Sequence, residues 1–171
     1  MWAADARRYS GQWRTEFDSA AALDHGDTNT GKFFGAVYSP TENVTYYVPY
    51  GNGSIEFYDF DASFSNRGPN ELSPQVGSLS FCGGILGPDG NIYFFPNNSR
   101  TFLKLDIPTR VWTTWNPADW TSPLLGSAQI TSGGCVVGQK VYISPGFGAD
   151  ILKMHFDDLD GAGYPKVTSI D

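Results

Sequence analysis

Three segments of this chain repeat one another at nearly constant spacing, and the repeat limits the fold more than any other feature. Each segment has Gly or a Gly pair followed by apolar residues, and then a second apolar stretch that ends in proline. The first glycines are Gly35, Gly83 and Gly133, and the closing prolines are Pro49, Pro96 and Pro145. Because two independent markers keep nearly the same spacing, the chain is built from one repeated structural unit.

The middle segment shows the unit most completely, as four short apolar stretches separated by turn residues. Asp89-Gly90 lies between the first two stretches and supplies residues that tolerate the positive φ of a hairpin turn. Pro96 ends the second stretch, because proline has no N–H for a strand ladder. The segment from Asp106 to Arg110 joins the third stretch to the fourth, which ends at Trp115. The pattern predicts four antiparallel strands per repeat.

The repeats are predicted over residues 33–80, 81–131 and 132–171 of a single domain. In the first repeat, Phe57 to Phe60 is predicted to correspond to Phe102 to Leu105, after a two-residue insertion near Gly51. The connections between repeats are predicted to be loops, at residues 18–31, 62–80 and 116–132. Residues 11–17 resemble the last strand of the middle repeat and keep its distance from the following glycine, which predicts an orphan strand.

Composition supports an all-β chain and limits its partners. Aromatic residues make up 15% of the 171 residues, with 20 Gly and 11 Pro, while charged residues make up only 17%. These proportions favour strands and turns over helices. The net charge of −7 argues against nucleic acid and anionic membranes as partners, because both require clustered Lys and Arg.

The repeat resembles a β-propeller blade, and in particular the kelch type. Four strands every roughly 40–50 residues is the period of such blades. Gly83-Gly84, the later Tyr93, and the turn from Asp106 to Thr109 with Trp112 after it resemble the kelch pattern. The first repeat lacks the Trp. The third lacks both the Asp turn and the Trp, and has His155 at the position of Asp106.

This resemblance implies an all-β, propeller-like fold of about three four-stranded antiparallel blades. Propellers typically close with about 4–8 blades. Three blades form an incomplete ring, so we expect it to be completed by oligomerisation or by partner chains. Two copies would supply six blades.

No catalytic residue, cofactor site or metal site is predicted. The sequence has no Gly-x-Ser-x-Gly, P-loop or His-Glu-x-x-His motif, and its Gly-rich stretch lies between strands, where it would not hold phosphate. His25 and His155 are isolated, so a structural or solvated role is favoured over a general base. Asp157, Asp158 and Asp160 would suit Ca²⁺ or a solvated turn, and without EF-hand spacing the turn is favoured.

Two cysteines and the terminal sequence leave the compartment undecided. Cys82 and Cys135 are predicted to be buried free thiols, with a disulfide as the open alternative. No apolar run approaches the roughly 20 residues of a membrane span, and no signal peptide is visible. A particle of a virus or phage is the context we expect.

Four aromatic residues are predicted to lie in or beside loops, where they would contact a sugar or a protein partner. They are Tyr50, Trp115, Trp120 and Phe147. The open alternative is that they fill the interfaces between blades.

The sequence favours a non-catalytic structural or recognition subunit of a larger assembly, with protein partners that are further copies or neighbouring subunits. One alternative is a carbohydrate-binding propeller lectin. Another is an enzyme whose site forms only in the assembled ring.

Overall fold

Three four-stranded antiparallel sheets make up the described part of the chain. The computed structural model describes residues 33–49, 56–59, 64–67, 81–97, 101–117, 131–146 and 151–170. The first sheet contains β1 (Phe33–Ser39), β2 (Val44–Pro49), β3 (Glu56–Asp59) and β4 (Phe64–Arg67). The second contains β5 (Phe81–Leu86), β6 (Ile92–Pro96), β7 (Phe102–Asp106) and β8 (Val111–Trp115). The third contains β9 (Thr131–Val137), β10 (Lys140–Pro145), β11 (Ile151–Leu159) and β12 (Pro165–Ile170).

In each sheet the strands lie side by side in chain order, as in a propeller blade. The all-β prediction with four-stranded blades is therefore confirmed, and the arrangement is that of an incomplete propeller. Within the described ranges, no helix is long and apolar enough to cross a membrane. The predicted orphan strand at residues 11–17 lies outside these ranges.

The predicted tight turn between β5 and β6 is present. Gly90 has a φ of 81°, and its N–H donates to the Gly87 carbonyl at 3.0 Å. The Asp89 carboxylate accepts from the Asn91 backbone N–H at 3.2 Å and from the Asn91 side-chain amide at 2.8 Å. Asp89 thus stabilises the hairpin turn by accepting hydrogen bonds, and Gly90 by adopting the positive φ that the turn needs.

The strand register corrects the alignment of the first repeat. Tyr93 lies opposite Lys104, Tyr142 lies opposite Lys153, and Tyr46 lies opposite Phe57. Phe57 thus corresponds to Lys104, not to Phe102, and the predicted two-residue insertion is wrong. Apolar residues alternate in this part of both repeats, so a shift of two residues leaves the pattern unchanged.

A fourth strand lies in a segment that the sequence predicts to be a loop. β4 pairs with β3 from Asp59↔Phe64 to Glu56↔Arg67. Its Ser and Asn have low strand propensity, but backbone pairing on an edge strand tolerates such residues. The loop prediction for residues 62–80 is therefore wrong over β4.

The third sheet has the aspartate turn that the sequence comparison does not find. Asp106 Oδ1 accepts from the Thr109 N–H at 3.0 Å and from the Thr109 hydroxyl at 2.6 Å. In the third sheet, Asp160 Oδ1 accepts from the Ala162 and Tyr164 N–H groups, both at 2.9 Å. His155 stands at the position of Asp106, but β11 is nine residues long and continues past it, so the turn comes later in the chain.

The second sheet is buried on both faces. Along β6, Ile92 and Phe94 pack toward the first sheet, whereas Tyr93 and Phe95 pack toward the third. This alternation follows the two-residue period of a strand. It explains why every residue of β6 is buried and why the segment reads as a continuous apolar run.

We call the side of a sheet that points to the next sheet in chain order its forward face, and the opposite side its backward face. The forward face of the first sheet packs on the backward face of the second, and the second packs on the third in the same way. The backward face of the first sheet and the forward face of the third are left without a sheet against them in the described part of the chain.

The two cysteines are free, as predicted, but only one of them is buried. Cys82 lies on β5 in the interior. Cys135 lies on the forward face of the third sheet and is exposed, so the prediction of burial is wrong for this residue. Its counterpart in the second sheet, Ile85, packs against the core that the second and third sheets share.

Candidate functional site

Trp115, one of the four predicted binding aromatics, is buried. Its side chain is only 7% exposed, at the end of β8. The expectation of an accessible aromatic ring beside a loop is therefore wrong at this position. Tyr50, Trp120 and Phe147 lie outside the described residues.

Trp115 instead fills the interface between the second and third sheets. Its ring stacks on Tyr164 at a centroid distance of 5.1 Å and on Phe102 at 5.1 Å, and meets the edge of Tyr93 at 5.8 Å. Tyr164 belongs to the third sheet's turn region. The packing fits the alternative reading, in which the aromatic residues fill blade interfaces.

Each of the first two sheets has a buried tyrosine bound to a turn carboxylate. The Tyr46 hydroxyl donates to Glu42 Oε2 at 2.6 Å. Arg110, from the second sheet, lies over the Tyr46 ring at 5.5 Å, donates to its hydroxyl and forms an ion pair with Glu42 at 3.0 Å. This group of three side chains joins the turn ends of the two sheets.

Tyr93 repeats the arrangement one sheet later. Its hydroxyl donates to Asp89 Oδ2 at 2.7 Å, and Lys104 Nζ lies 3.9 Å from the same oxygen. Burial, together with the Asp89 carboxylate, strongly raises the pKa of Tyr93. The phenol therefore stays protonated, and its role is structural.

The third sheet departs from this arrangement. The turn position four residues before Tyr142 is Gly138, with a φ of 62°, so no carboxylate stands there. Lys153 Nζ lies 5.6 Å from the centroid of the Tyr142 ring. Both residues are on the open forward face, which leaves their polar groups at the surface.

A group of polar side chains surrounds His155 on this face. His155 Nε2 lies 3.0 Å from Thr168 Oγ1, and the backbone register places Lys140 directly opposite His155. Lys140 Nζ donates to Asp157 Oδ2 at 2.7 Å. Lys153 lies two residues before His155 on the same side of β11. We call His155, Thr168, Lys140, Lys153 and Asp157 the His155 cluster.

The cluster favours a neutral imidazole. Burial lowers the pKa of His155, and the charges of Lys153 and Lys140 lower it further. The negative charge of Asp157 acts in the opposite direction but does not outweigh them. A neutral imidazole beside two ammonium groups can accept a proton while the cations stabilise the negative charge that results.

The prediction that His155 is isolated is wrong, because polar side chains from neighbouring strands surround it. The residues that surround it come from three strands, and only Lys153 and Asp157 are near it in sequence. The signal in the sequence is the Lys-x-His-x-Asp spacing of residues 153–157, which puts the three side chains on one side of a strand.

The carboxylates considered for Ca²⁺ each have another partner. Asp157 pairs with Lys140 at 2.7 Å, and Asp158 pairs with Lys166 at 2.8 Å. Asp160 accepts the turn N–H groups. Among the residues that the structure describes, no group of three or more His, Cys, Asp or Glu is placed to hold a metal ion.

No protein-family model matches the chain, and no curated protein matches it in sequence. Solved structures do match. A streptogramin B lyase has a TM-score of 0.55 at 15% identity, over 81% of this chain and 41% of that one. A catalytically inactive virginiamycin B lyase from Staphylococcus aureus with quinupristin has a TM-score of 0.57 at 11% identity, over 85% and 44%.

The extracellular domain of a hybrid two-component system from B. thetaiotaomicron matches with a TM-score of 0.53 at 18% identity, over 85% of this chain and 19% of that one. These likenesses show a shared β-propeller fold. The kelch type is not shown by them. This chain matches less than half the length of the two lyases.

These comparisons contradict two predictions made from the sequence. One is that the chain is a non-catalytic structural subunit, and the other is that it is not an enzyme. Two of the structures that share the fold are lyases. A site that is assembled from several strands leaves no short motif in the sequence, as the His155 cluster shows.

Proposed function

We propose that this chain is part of a β-propeller enzyme and that His155 is its general base. The observation that carries the proposal is the His155 cluster, a neutral imidazole held at 3.0 Å from a hydroxyl and flanked by two ammonium groups. The S. aureus lyase that matches the fold is described as inactive when a histidine is replaced by alanine. A histidine is thus required in that protein.

The reaction class that suits the cluster is elimination. The imidazole takes a proton from a carbon next to a carbonyl group, and the electron pair of that C–H bond forms a double bond. The bond from the neighbouring carbon to the leaving group breaks, and the leaving group departs with its electrons. Lys153 stabilises the negative charge that develops on the carbonyl oxygen.

Further blades supply the rest of the site. The chain matches 41% and 44% of the two lyases, and within the described ranges no sheet packs against the face that carries the His155 cluster. This proposal is the sequence-based alternative of an enzyme whose site forms only in the assembled ring.

Quinupristin, the ligand of the matched lyase, is the probe for a direct test. The full chain is incubated with it, and products are separated and weighed by mass spectrometry. Elimination leaves the summed mass of the products equal to that of the substrate, whereas hydrolysis adds one water. We expect His155→Gln to lower turnover by at least about 100-fold, the usual size of a general-base contribution.

The matched control is Asp106→Asn, at the corresponding position of the second sheet, which retains its turn acceptor oxygen and should keep full turnover. Turnover that survives His155→Gln would contradict the proposal. So would a wild-type chain that leaves quinupristin and a panel of cyclic and linear esters unchanged.

The kelch type of blade is a finer proposal. It is supported by the tyrosine at the same place on the second strand of each sheet, and by the aspartate turn at Asp106 and its counterpart at Asp160. If the two turns are equivalent, Asp160→Ala and Asp106→Ala should lower the free energy of unfolding by similar amounts, which urea unfolding of both variants measures.

A further inference from the structure

We propose that Thr168 is a positioning residue for His155. Its hydroxyl oxygen accepts the Nε2 proton of the neutral imidazole, which leaves the lone pair on Nδ1 and makes Nδ1 the nitrogen that takes a proton. The inference deepens the proposed function and rests on it, but the protonated ring nitrogen can be identified without any turnover.

The strand register brings the threonine to the ring. On β12, Thr168 pairs with Lys153, which lies two residues before His155 on β11, so the threonine is a diagonal neighbour on the same side of the sheet. Thr168 Oγ1 lies 3.0 Å from His155 Nε2, an ordinary distance for an N–H···O hydrogen bond. Because a β-branched side chain has few χ1 rotamers, the strand itself holds the hydroxyl near the ring.

The two ring nitrogens of a neutral imidazole differ, since one carries the proton and the other carries the lone pair. A base must present its lone pair to the C–H bond, and at Nε2 of His155 the threonine hydroxyl stands in that place. Within the described ranges, no hydrogen bond is made to Nδ1 of His155. Nδ1 is therefore the nitrogen that is left for a substrate.

The charged neighbours of His155 leave the role of acceptor to the threonine. The charged groups around the ring come from β10, β11 and β12, and they are Lys140, Lys153, Lys166, Asp157 and Asp158. The lysines have only N–H donors, so none of them can accept the ring proton. Each aspartate pairs with a lysine, at 2.7 Å for Lys140–Asp157 and at 2.8 Å for Lys166–Asp158. The Thr168 oxygen is therefore the acceptor for the Nε2 proton.

The contact suits a ring that becomes charged during the reaction. When Nδ1 takes a proton, the imidazolium donates from both nitrogens, and the bond from Nε2–H to Thr168 becomes charge-assisted and stronger. With the opposite assignment, the Thr168 hydroxyl would donate to Nε2 and would have to turn away before that nitrogen took a proton. An acceptor that is already in place requires no such reorganisation.

The second sheet provides the equivalent position without the histidine. Lys104 pairs with Thr113 as Lys153 pairs with Thr168, so the two threonines correspond. Asp106 stands in the place of His155, and its Oδ1 accepts from Thr109. The repeat thus places a threonine hydroxyl at this position in both sheets, and in the third sheet an imidazole lies beside it.

¹⁵N NMR of the full chain tests the assignment, because the chemical shifts of Nδ1 and Nε2 give the fraction of each tautomer. The spectra are recorded at about pH 8, above the usual His pKa of about 6.5, so that the ring is neutral. The signals of His155 are those that His155→Gln removes. We expect the Nε2–H tautomer in the wild type, at a larger fraction than in Thr168→Val, which keeps the shape of the side chain without the hydroxyl.

Two further variants serve as controls. Thr168→Ser keeps the hydroxyl and should keep the wild-type tautomer fraction. Thr113→Val makes the same change at the equivalent position of the second sheet and should leave the His155 signals unchanged. Circular dichroism confirms that each variant is folded. A wild-type ring protonated mainly on Nδ1, or equal tautomer fractions in the wild type and Thr168→Val, would overturn the inference.

Turnover of quinupristin supplies a second readout, which a purely structural role would not move. Thr168→Val should lower kcat roughly 10–100-fold with little change in KM, because the lost hydrogen bond is strongest when the ring is charged. Thr168→Ser should restore kcat. A wild-type kcat in Thr168→Val would overturn the inference alone, whereas a wild-type chain with the expected tautomer and no turnover of the ester panel would contradict the proposed activity alone.

Discussion

The protonation of His155 depends on residues that approach it from neighbouring strands. Burial favours the neutral ring, and the two lysines reinforce this preference. Lys140 reaches His155 through the pairing of β10 with β11, and Thr168 through the pairing of β11 with β12. A change of register in either strand pair would separate the residues of the cluster, although the amino-acid sequence would be the same.

Lys153→Gln should raise the pKa of His155 toward its usual value, because the substitution removes one of the two positive charges that lower it. The imidazole proton shifts in an NMR titration of the full chain measure this change. Lys104→Gln, the equivalent substitution in the second sheet, should leave the His155 titration unchanged. An unchanged curve for Lys153→Gln would show that the charge of Lys153 does not lower the pKa of His155.

His155 should make the free energy of unfolding depend on pH in a defined range. The pKa of His155 is lower in the folded chain than in the unfolded chain, where it is about 6.5. The unfolded state therefore binds more protons between the two values, and the free energy of unfolding should fall as pH decreases from about 6.5. Urea unfolding at several pH values measures the slope, which His155→Gln should reduce.

Trp115→Ala should destabilise the chain strongly, because the indole fills the contact between two sheets. Removal of a buried aromatic ring of this kind costs about 3–5 kcal/mol. Val111→Ala, on the same strand but exposed, should change the free energy of unfolding by no more than about 0.5 kcal/mol. Urea unfolding monitored by circular dichroism compares the two, and equal losses would contradict the buried position of Trp115.

Among the elements, the first strand of each sheet has the strictest requirement for small residues, as β9 shows. A Cβ on Gly134 would lie 2.8 Å from the Tyr142 carbonyl oxygen and 3.1 Å from the Phe95 ring. A Cβ on the neighbouring Gly133 would meet no atom within 4 Å. The two glycines of the pair therefore have different roles, although the sequence repeat treats them as one marker.

Gly134→Ala should lower the free energy of unfolding by about 1–3 kcal/mol, the usual cost of overpacking. Gly133→Ala should be neutral to within about 0.5 kcal/mol, since it is the matched change at a position with free space. Chemical denaturation of both variants tests the difference. Equal stability would mean that β9 moves away from its neighbours at no cost.

Much of the arrangement of elements could be predicted from the sequence, because the middle repeat carries its own turn chemistry. Asp89-Gly90, Pro96 and the Asp106 turn mark the ends of its strands. β4 could not be predicted, since its pairing is made by the backbone of a polar segment. The His155 cluster could not be predicted either, because it depends on register across three strands. The burial of Trp115 could not be predicted, because the sequence around it is compatible with a buried or an exposed side chain.

At the scale of the whole molecule, the described part of the chain stacks three sheets in a row, and each packs on the sheet next to it in chain order. Stability then depends on the sheets and on the interfaces between them, as in other repeat proteins.

The burial of the second sheet on both sides has a consequence for how readily each repeat can be recognised. A sheet with two neighbours must satisfy a packing constraint at every position, so few substitutions are accepted and its pattern stays regular. In the described part of the chain, the third sheet packs against another sheet on one side only, and a polar residue occurs there at a position that is apolar in the second sheet, as in the change from Phe95 to Ser144. The regularity of a repeat in the sequence therefore follows the number of sheets that pack against it.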